Sequence, residues 1–210
     1  IAKTGGTSLR AALRRYRWGG WYSIPLWLAA QVDQVTRPRH KLGLRFPRHG
    51  KAVAAKEMLP EPVFRDLFKF TIVRNPWDLQ VSSWHHIQRE KPEVVAGLHS
   101  FGDFLRYKFD PERPYDYMLD ISAERQHEYL LDLRGEAIVD FVGRYERLED
   151  DYAAICRRIG IRPPVLPHRR RAAERTDYRR YYDSELAELV GAHYRRDIEL
   201  LGYSFDGGGA

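Results

Sequence analysis

Ile1-Ala2-Lys3-Thr4-Gly5-Gly6-Thr7-Ser8-Leu9 is the stretch on which the fold turns. Ile1-Ala2 reads as the end of a strand, and Gly5-Gly6 as a turn that lets the backbone approach a ligand with no Cβ in the way. From Thr7 onward Leu9, Ala12, Leu13 and Tyr16 recur at helical spacing. The unpaired N–H groups of that helix start point back at the loop. Together with the positive helix end, the Lys3 ammonium and the hydroxyls of Thr4, Thr7 and Ser8, they predict an anion site suited to phosphate. A Walker A loop has its Lys after the glycines, whereas Lys3 precedes them. Taken alone, the stretch also fits a plain glycine turn ahead of a capped helix.

A second anion site lies downstream. Phe68 to Val73 alternates as a strand and delivers Arg74 at its carboxyl end, and Pro76 then opens a helix carrying Leu79, Val81, Trp84 and Ile87. Ser82 follows Arg74 by eight positions, about two helical turns into that helix. A strand-end guanidinium and a helix hydroxyl can meet one phosphate outside the carboxyl edge of a parallel sheet. Singly, each also fits a helix-capping arginine and a solvated serine.

Around these sites strand-like and helix-like segments alternate, the pattern of an α/β protein with a parallel sheet. Leu42 to Phe46 and Ala137 to Gly143 read as further strands. Ala52 to Met58, Phe101 to Tyr107, Gln126 to Leu131, Asp150 to Ile159 and an amphipathic Ser184 to Leu201 read as helices. The aromatic run Trp18 to Leu28 fits a lid over a ligand or an apolar helix packed on the core, and apolar runs normally report burial. Lys91 to Asp120 is broken by Pro92, Gly97, Pro111 and Pro114, and such excursions often shape the substrate side of a cleft.

At 210 residues the chain suits one domain, 1–205, with 206–210 as a tail. The charge of +6, mostly arginine, suits an anionic ligand: nucleic acid, sugar acid, nucleotide or acidic membrane. Cys156, the only cysteine, excludes an intrachain disulfide and an all-cysteine metal site and reads as a small core residue. Trp18 to Val35 is the most apolar stretch, but Gly19-Gly20, Pro25, Gln31 and Asp33 interrupt it, so no membrane span or stable membrane insertion is expected.

The Lys3 loop resembles the 5′-phosphosulfate loop of sulfotransferases that use 3′-phosphoadenosine-5′-phosphosulfate (PAPS), entered at its second strand residue. Ile72-Val73-Arg74-Asn75-Pro76-Trp77-Asp78 with Val81-Ser82 resembles their 3′-phosphate motif. Phe141 to Asp151, and Tyr194-x-x-Asp197 running to Tyr203, are similar to later segments of the carbohydrate type.

The resemblance implies a three-layer P-loop-like α/β fold, a central parallel sheet flanked by helices, with most of the first strand missing at the N-terminus. It implies sulfuryl transfer from PAPS to a hydroxyl acceptor, a carbohydrate, with no metal and no nucleic-acid partner. Lys3, Thr4, Gly5, Gly6, Thr7 and Ser8 would hold the phosphosulfate, with Lys3 near the bridging oxygen. Arg74 and Ser82 would hold the 3′-phosphate, Tyr145 would lie against adenine, and an arginine of Arg169 to Arg171 would close over the nucleotide. The order His49, Leu59-Pro60, Arg74 strand matches members whose His is the base, so His49 is the candidate base. His40, His127 and His168 stand behind it, with His85 and His86 read as structural. The lack of cysteine pairs favours a bacterial cytoplasmic enzyme over one of the Golgi lumen. The alternatives are a P-loop-type kinase using ATP and Mg²⁺, which this chain fits poorly for want of a Walker lysine, and a non-catalytic polyanion-binding module.

Overall fold

The computed structural model describes residues 1–16, 49–167 and 177–207. The Trp18 to Leu28 run, His40, the strand expected at Leu42 to Phe46 and the His168 to Arg171 cluster lie outside them. In chain order the described elements are α1 (Gly6–Ala12), α2 (Ala52–Met58), α3 (Glu61–Asp66), β1 (Phe70–Val73), α4 (Pro76–Glu90) and α5 (Phe101–Phe109). Then follow α6 (Tyr117–Asp120), β2 (Phe141–Arg144), α7 (Leu148–Arg158), α8 (Ser184–His193) and α9 (Arg195–Leu201). No helix among the described residues is long and apolar enough to cross a membrane.

β1 and β2 pair in parallel, Phe70 opposite Phe141 and Val73 opposite Arg144, which bears out an α/β arrangement. Both strands are shorter than their apolar runs predict, because other partners take the backbone groups at their starts. The Asp140 carboxylate accepts the Lys69 N–H at 2.6 Å, occupying the backbone that would lengthen β1. Ala137 turns away into an antiparallel bridge with Leu131, and the Ile138 N–H donates to Leu130 O at 2.8 Å.

Successive β1 residues enter different clusters, as a strand's period of two requires. Ile72 packs with Leu9, Ala12, Tyr152, Ile155 and Cys156 from α1 and α7. Val73 packs with Leu130 and Tyr203, backed by Val142 and Leu201. Cys156 is fully buried, as expected of a core residue.

The largest cluster lies on α4. Pro76 sits in its first turn and the Asn75 side chain accepts the Trp77 N–H at 3.0 Å, a side-chain cap that fixes where the helix begins. Trp77, Val81, Trp84 and Ile87 then pack on Phe101, Phe104 and Leu105 of α5 and on Leu186 and Val190 of α8. The Lys91 to Asp120 excursion thus puts α5 into the core.

Ser184 to Leu201, expected as one helix, breaks at Tyr194 (φ −103°, ψ 19°). The Tyr194 side chain is fully buried, its hydroxyl accepting from Gln80 Nε2 at 2.8 Å and donating to Ser122 O at 3.2 Å. Beside it Lys108 is buried with Nζ donating to Gln80 Oε1 (2.7 Å), Ser122 Oγ (2.8 Å) and Ser83 Oγ (3.1 Å). Burial, reinforced by Arg113, holds its pKa well below the ordinary lysine value.

Gly143 lies where β2 meets both β1 and α7. A Cβ there would fall 2.6 Å from Ile72 Cδ1 and 3.1 Å from Asp151 Cβ. Gly143→Ala is expected to destabilise the fold by about 1–3 kcal/mol through overpacking. That would lower the thermal midpoint by roughly 2–10 °C. An unchanged midpoint would show that the strand pair has slack at this position.

Candidate functional site

The site begins where β1 ends. Arg74 is 5% exposed, and its guanidinium is held on three sides. Nε donates to Asp78 Oδ2 at 2.9 Å, one helical turn ahead. Nη1 donates to the Lys3 carbonyl at 2.9 Å, and the Tyr145 ring centroid lies 4.2 Å from Cζ. Nη2 has no hydrogen-bond partner among the described residues. The two segments that the sequence singles out as anion sites are therefore in direct contact.

The loop is wound tightly. Lys3 is left-handed at φ 63° and Gly5 at φ 83°, with Thr4 between them donating from Oγ1 to Ile1 O at 3.2 Å. The N–H groups of Ser8 and Leu9 donate to Gly5 O at 2.9 and 3.1 Å, which starts α1. Glycine is required at position 5 twice over, because a Cβ there would also meet Leu148 Cδ2 at 2.8 Å. At Gly6 a Cβ would meet nothing within 4 Å among the described residues. Lys3 and Thr7 are half-buried, whereas Thr4 and Ser8 are buried.

The other expected site residues fall in different places. Ser82 is half-buried on α4, two turns beyond Arg74, and no bond joins the two among the described residues. Tyr145, expected against adenine, has its ring packed on Arg74 and beside Gly5. His49 is half-buried in a turn, and the segment after it is fastened down. Lys51 pairs with Glu128 and lies over the Tyr129 ring at 5.7 Å, and Lys56 pairs with Asp132 at 2.6 Å. Gly50 and Ala52 line a cleft of about 350 Å³ with Ile1, Phe68, Phe70 and Tyr129, which puts this segment alongside the start of the Lys3 loop.

Of the remaining histidines, His127 is buried against Asp197, with Nδ1 at 2.5 Å from Oδ1. His85 Nε2 lies 2.8 Å from the Tyr181 hydroxyl, and burial lowers its pKa. His86 Nδ1 lies 3.4 Å from Arg89 Nη2.

Two residues at the site carry no role in the sequence analysis. Glu146 Oε1 accepts the Asn75 N–H at 2.6 Å, while Oε2 accepts from the Tyr203 hydroxyl at 3.3 Å, tying both strand exits to the chain's last segment. Gln126 brackets the Arg74 backbone: Oε1 accepts its N–H at 2.9 Å and Nε2 donates to its carbonyl at 2.7 Å. Glu146 stands inside a quoted motif and could have been found there. Gln126 has no local signal.

The site thus gathers a lysine, an arginine whose Nη2 has no hydrogen-bond partner among the described residues, and a glycine loop, with the carboxylates of Asp78 and Glu146 beside them. Such a set holds anions by charge-assisted hydrogen bonds. No curated protein and no solved structure matches the chain. The model of the sulfotransferase family matches residues 1–204, which include the Lys3 loop, Arg74, Tyr145 and everything through α9. The chain therefore belongs to the sulfotransferase family, whose enzymes transfer sulfuryl groups.

Proposed function

We propose that the chain transfers a sulfuryl group from PAPS to a hydroxyl of a carbohydrate, within a three-layer P-loop-like fold whose central sheet contains β1 and β2. The observation that carries this reading is the hydrogen bond from Arg74 Nη1 to the Lys3 carbonyl, which unites two cationic segments 71 residues apart. A donor with phosphate at both ends of its ribose suits two anion-binding groups held at a fixed separation.

In this reading the Lys3, Thr4, Gly5, Gly6, Thr7 and Ser8 loop takes the phosphosulfate end. Arg74 Nη2 and the Ser82 hydroxyl take the 3′-phosphate. Asp78 and Ser82 stand four residues apart on α4 and so share a helix face, and Asp78 already touches Arg74. Tyr145 serves the nucleotide by holding Arg74 and Gly5 in place.

The reaction is an in-line displacement at sulfur. The acceptor oxygen forms its bond to sulfur while the bond from sulfur to the bridging phosphate oxygen breaks, releasing 3′-phosphoadenosine-5′-phosphate. His49 takes the hydroxyl proton, and the Lys3 ammonium neutralises the charge arriving on the leaving phosphate.

Thermal unfolding tests the donor. At a hundredfold its dissociation constant a ligand stabilises by about 2.7 kcal/mol. For a domain of this size that raises the midpoint by roughly 5–10 °C. The shift is expected with 3′-phosphoadenosine-5′-phosphate, to be much smaller with 5′-AMP or with ATP and Mg²⁺, and to be lost in Arg74→Ala. A shift with ATP and Mg²⁺ alone would replace this reading with a kinase.

Turnover tests the chemistry. His49→Ala is expected to lower kcat by about 10²- to 10⁴-fold, the usual worth of general base catalysis, while nucleotide affinity stays within a few-fold. Lys3→Ala should behave in the same direction. Undiminished turnover in His49→Ala would remove it as the base.

A further inference from the structure

We infer that Asp197, on the last helix of the chain, sets the conformation of Arg74 by way of Gln126 and is a positioning residue for the anion site. What Arg74 binds rests on the function proposed above; the coupling itself does not.

Arg74 stands where the backbone leaves the sheet, one residue past β1 and two before α4 begins. Its direction there decides whether the guanidinium returns to Lys3 or swings away. One planar carboxamide fixes it, because Gln126 satisfies both the N–H and the carbonyl of Arg74 at 2.9 and 2.7 Å. Gln126 is completely buried, so water offers neither group a replacement.

Gln126 must in turn be held. It opens the short helical turn Gln126–Tyr129, whose N-cap, Arg125, supplies no side-chain cap. Asp197 supplies one from α9: Oδ2 accepts the Gln126 N–H at 2.7 Å, and Oδ1 accepts the His127 N–H at 2.8 Å. The same Oδ1 lies 2.5 Å from His127 Nδ1, which donates to it, so the carboxylate accepts three hydrogen bonds in a site with no solvent exposure. Asp197 thereby acts as the missing cap of the turn that presents Gln126 to Arg74. The chain of contacts runs Asp197, Gln126 backbone, Gln126 carboxamide, Arg74 backbone, and then Arg74 Nη1 to the Lys3 carbonyl.

Asp197→Asn keeps the shape but replaces one acceptor oxygen with a donor facing N–H groups. Gln126→Glu replaces the donor facing the Arg74 carbonyl with an acceptor. Wild type and both variants would be titrated calorimetrically with 3′-phosphoadenosine-5′-phosphate and with 5′-AMP. Amide hydrogen exchange of the peptide covering residues 70–76 would be followed by mass spectrometry. The expected result for either variant is faster exchange in that peptide and a loss of about tenfold or more in preference for the 3′-phosphorylated ligand, as when one hydrogen bond to a charged group is lost. Affinity for 5′-AMP should move less than threefold.

A variant with a lower melting point but unchanged exchange and unchanged ligand preference would overturn the inference, leaving Asp197 as a fastener of α9 alone. If Asp197→Asn does not fold, Gln126→Glu gives the same reading on the step next to Arg74. A wild-type protein with no preference between the two ligands, combined with faster exchange in the variants, would sink the donor assignment while upholding the coupling.

Discussion

One hydrogen bond, from the Arg74 guanidinium to the Lys3 carbonyl, ties the N-terminal glycine loop to the end of β1. Lys3 is the non-glycine residue with positive φ among those described, a conformation that costs a residue with a Cβ about 1–2 kcal/mol. A hydrogen bond from a charged group contributes about 1.5–3 kcal/mol, so the contact is strong enough to hold the loop in that form. The guanidinium is itself costly to bury, and Asp78, 15% exposed in its side chain, offsets that cost at 2.9 Å.

The strand pair explains why these groups meet. In the parallel register Val73 stands opposite Arg144, so the next residues, Arg74 and Tyr145, leave the sheet side by side. Their stacking at 4.2 Å follows from that register. A slip of one residue in either strand would turn that strand's exit residue to the other face and part the pair. Gly143 and Gly5 each stand where a methyl group would strike a neighbour, so the close approach of β2 to β1 and of the loop to α7 depends on the absence of two Cβ atoms. Glu146 then binds the Asn75 N–H, closing the gap between the two exits.

Features governed by local chemistry were legible in the sequence, and features governed by distant partners were not. The Gly5 turn, the strand before Arg74 and the start of α4 at Pro76 all follow from residues within a few positions of each other. The strand lengths do not, because Asp140 and the Leu131 bridge intervene from outside the apolar runs. The break at Tyr194 is invisible to a helical pattern, since it comes from a buried hydroxyl bonded to Gln80 and Ser122. Gln126 could not be read at all: its partner lies 52 residues away, and a glutamine at a helix start is ordinarily solvated. His127 reads as a fallback for the base behind His49, but a carboxylate 70 residues distant holds it in the interior.

Helix α4 carries two polar rows with opposite fates. Gln80 and Ser83, three residues apart, face inward, and their oxygens surround the Lys108 ammonium together with Ser122. That row is closed: every Nζ proton has an acceptor, and burial has driven the pKa of Lys108 down. Asp78 and Ser82, four residues apart, form the other row, which starts at Arg74. A helix cannot present both rows to one ligand, because they lie on different faces. The inward row is bonded to Lys108, and on the other row Asp78 is bonded to Arg74 at the end of β1. Lys108 thereby fastens α4 from its inward face, through Gln80 and Ser83 on the helix and Ser122 beyond it.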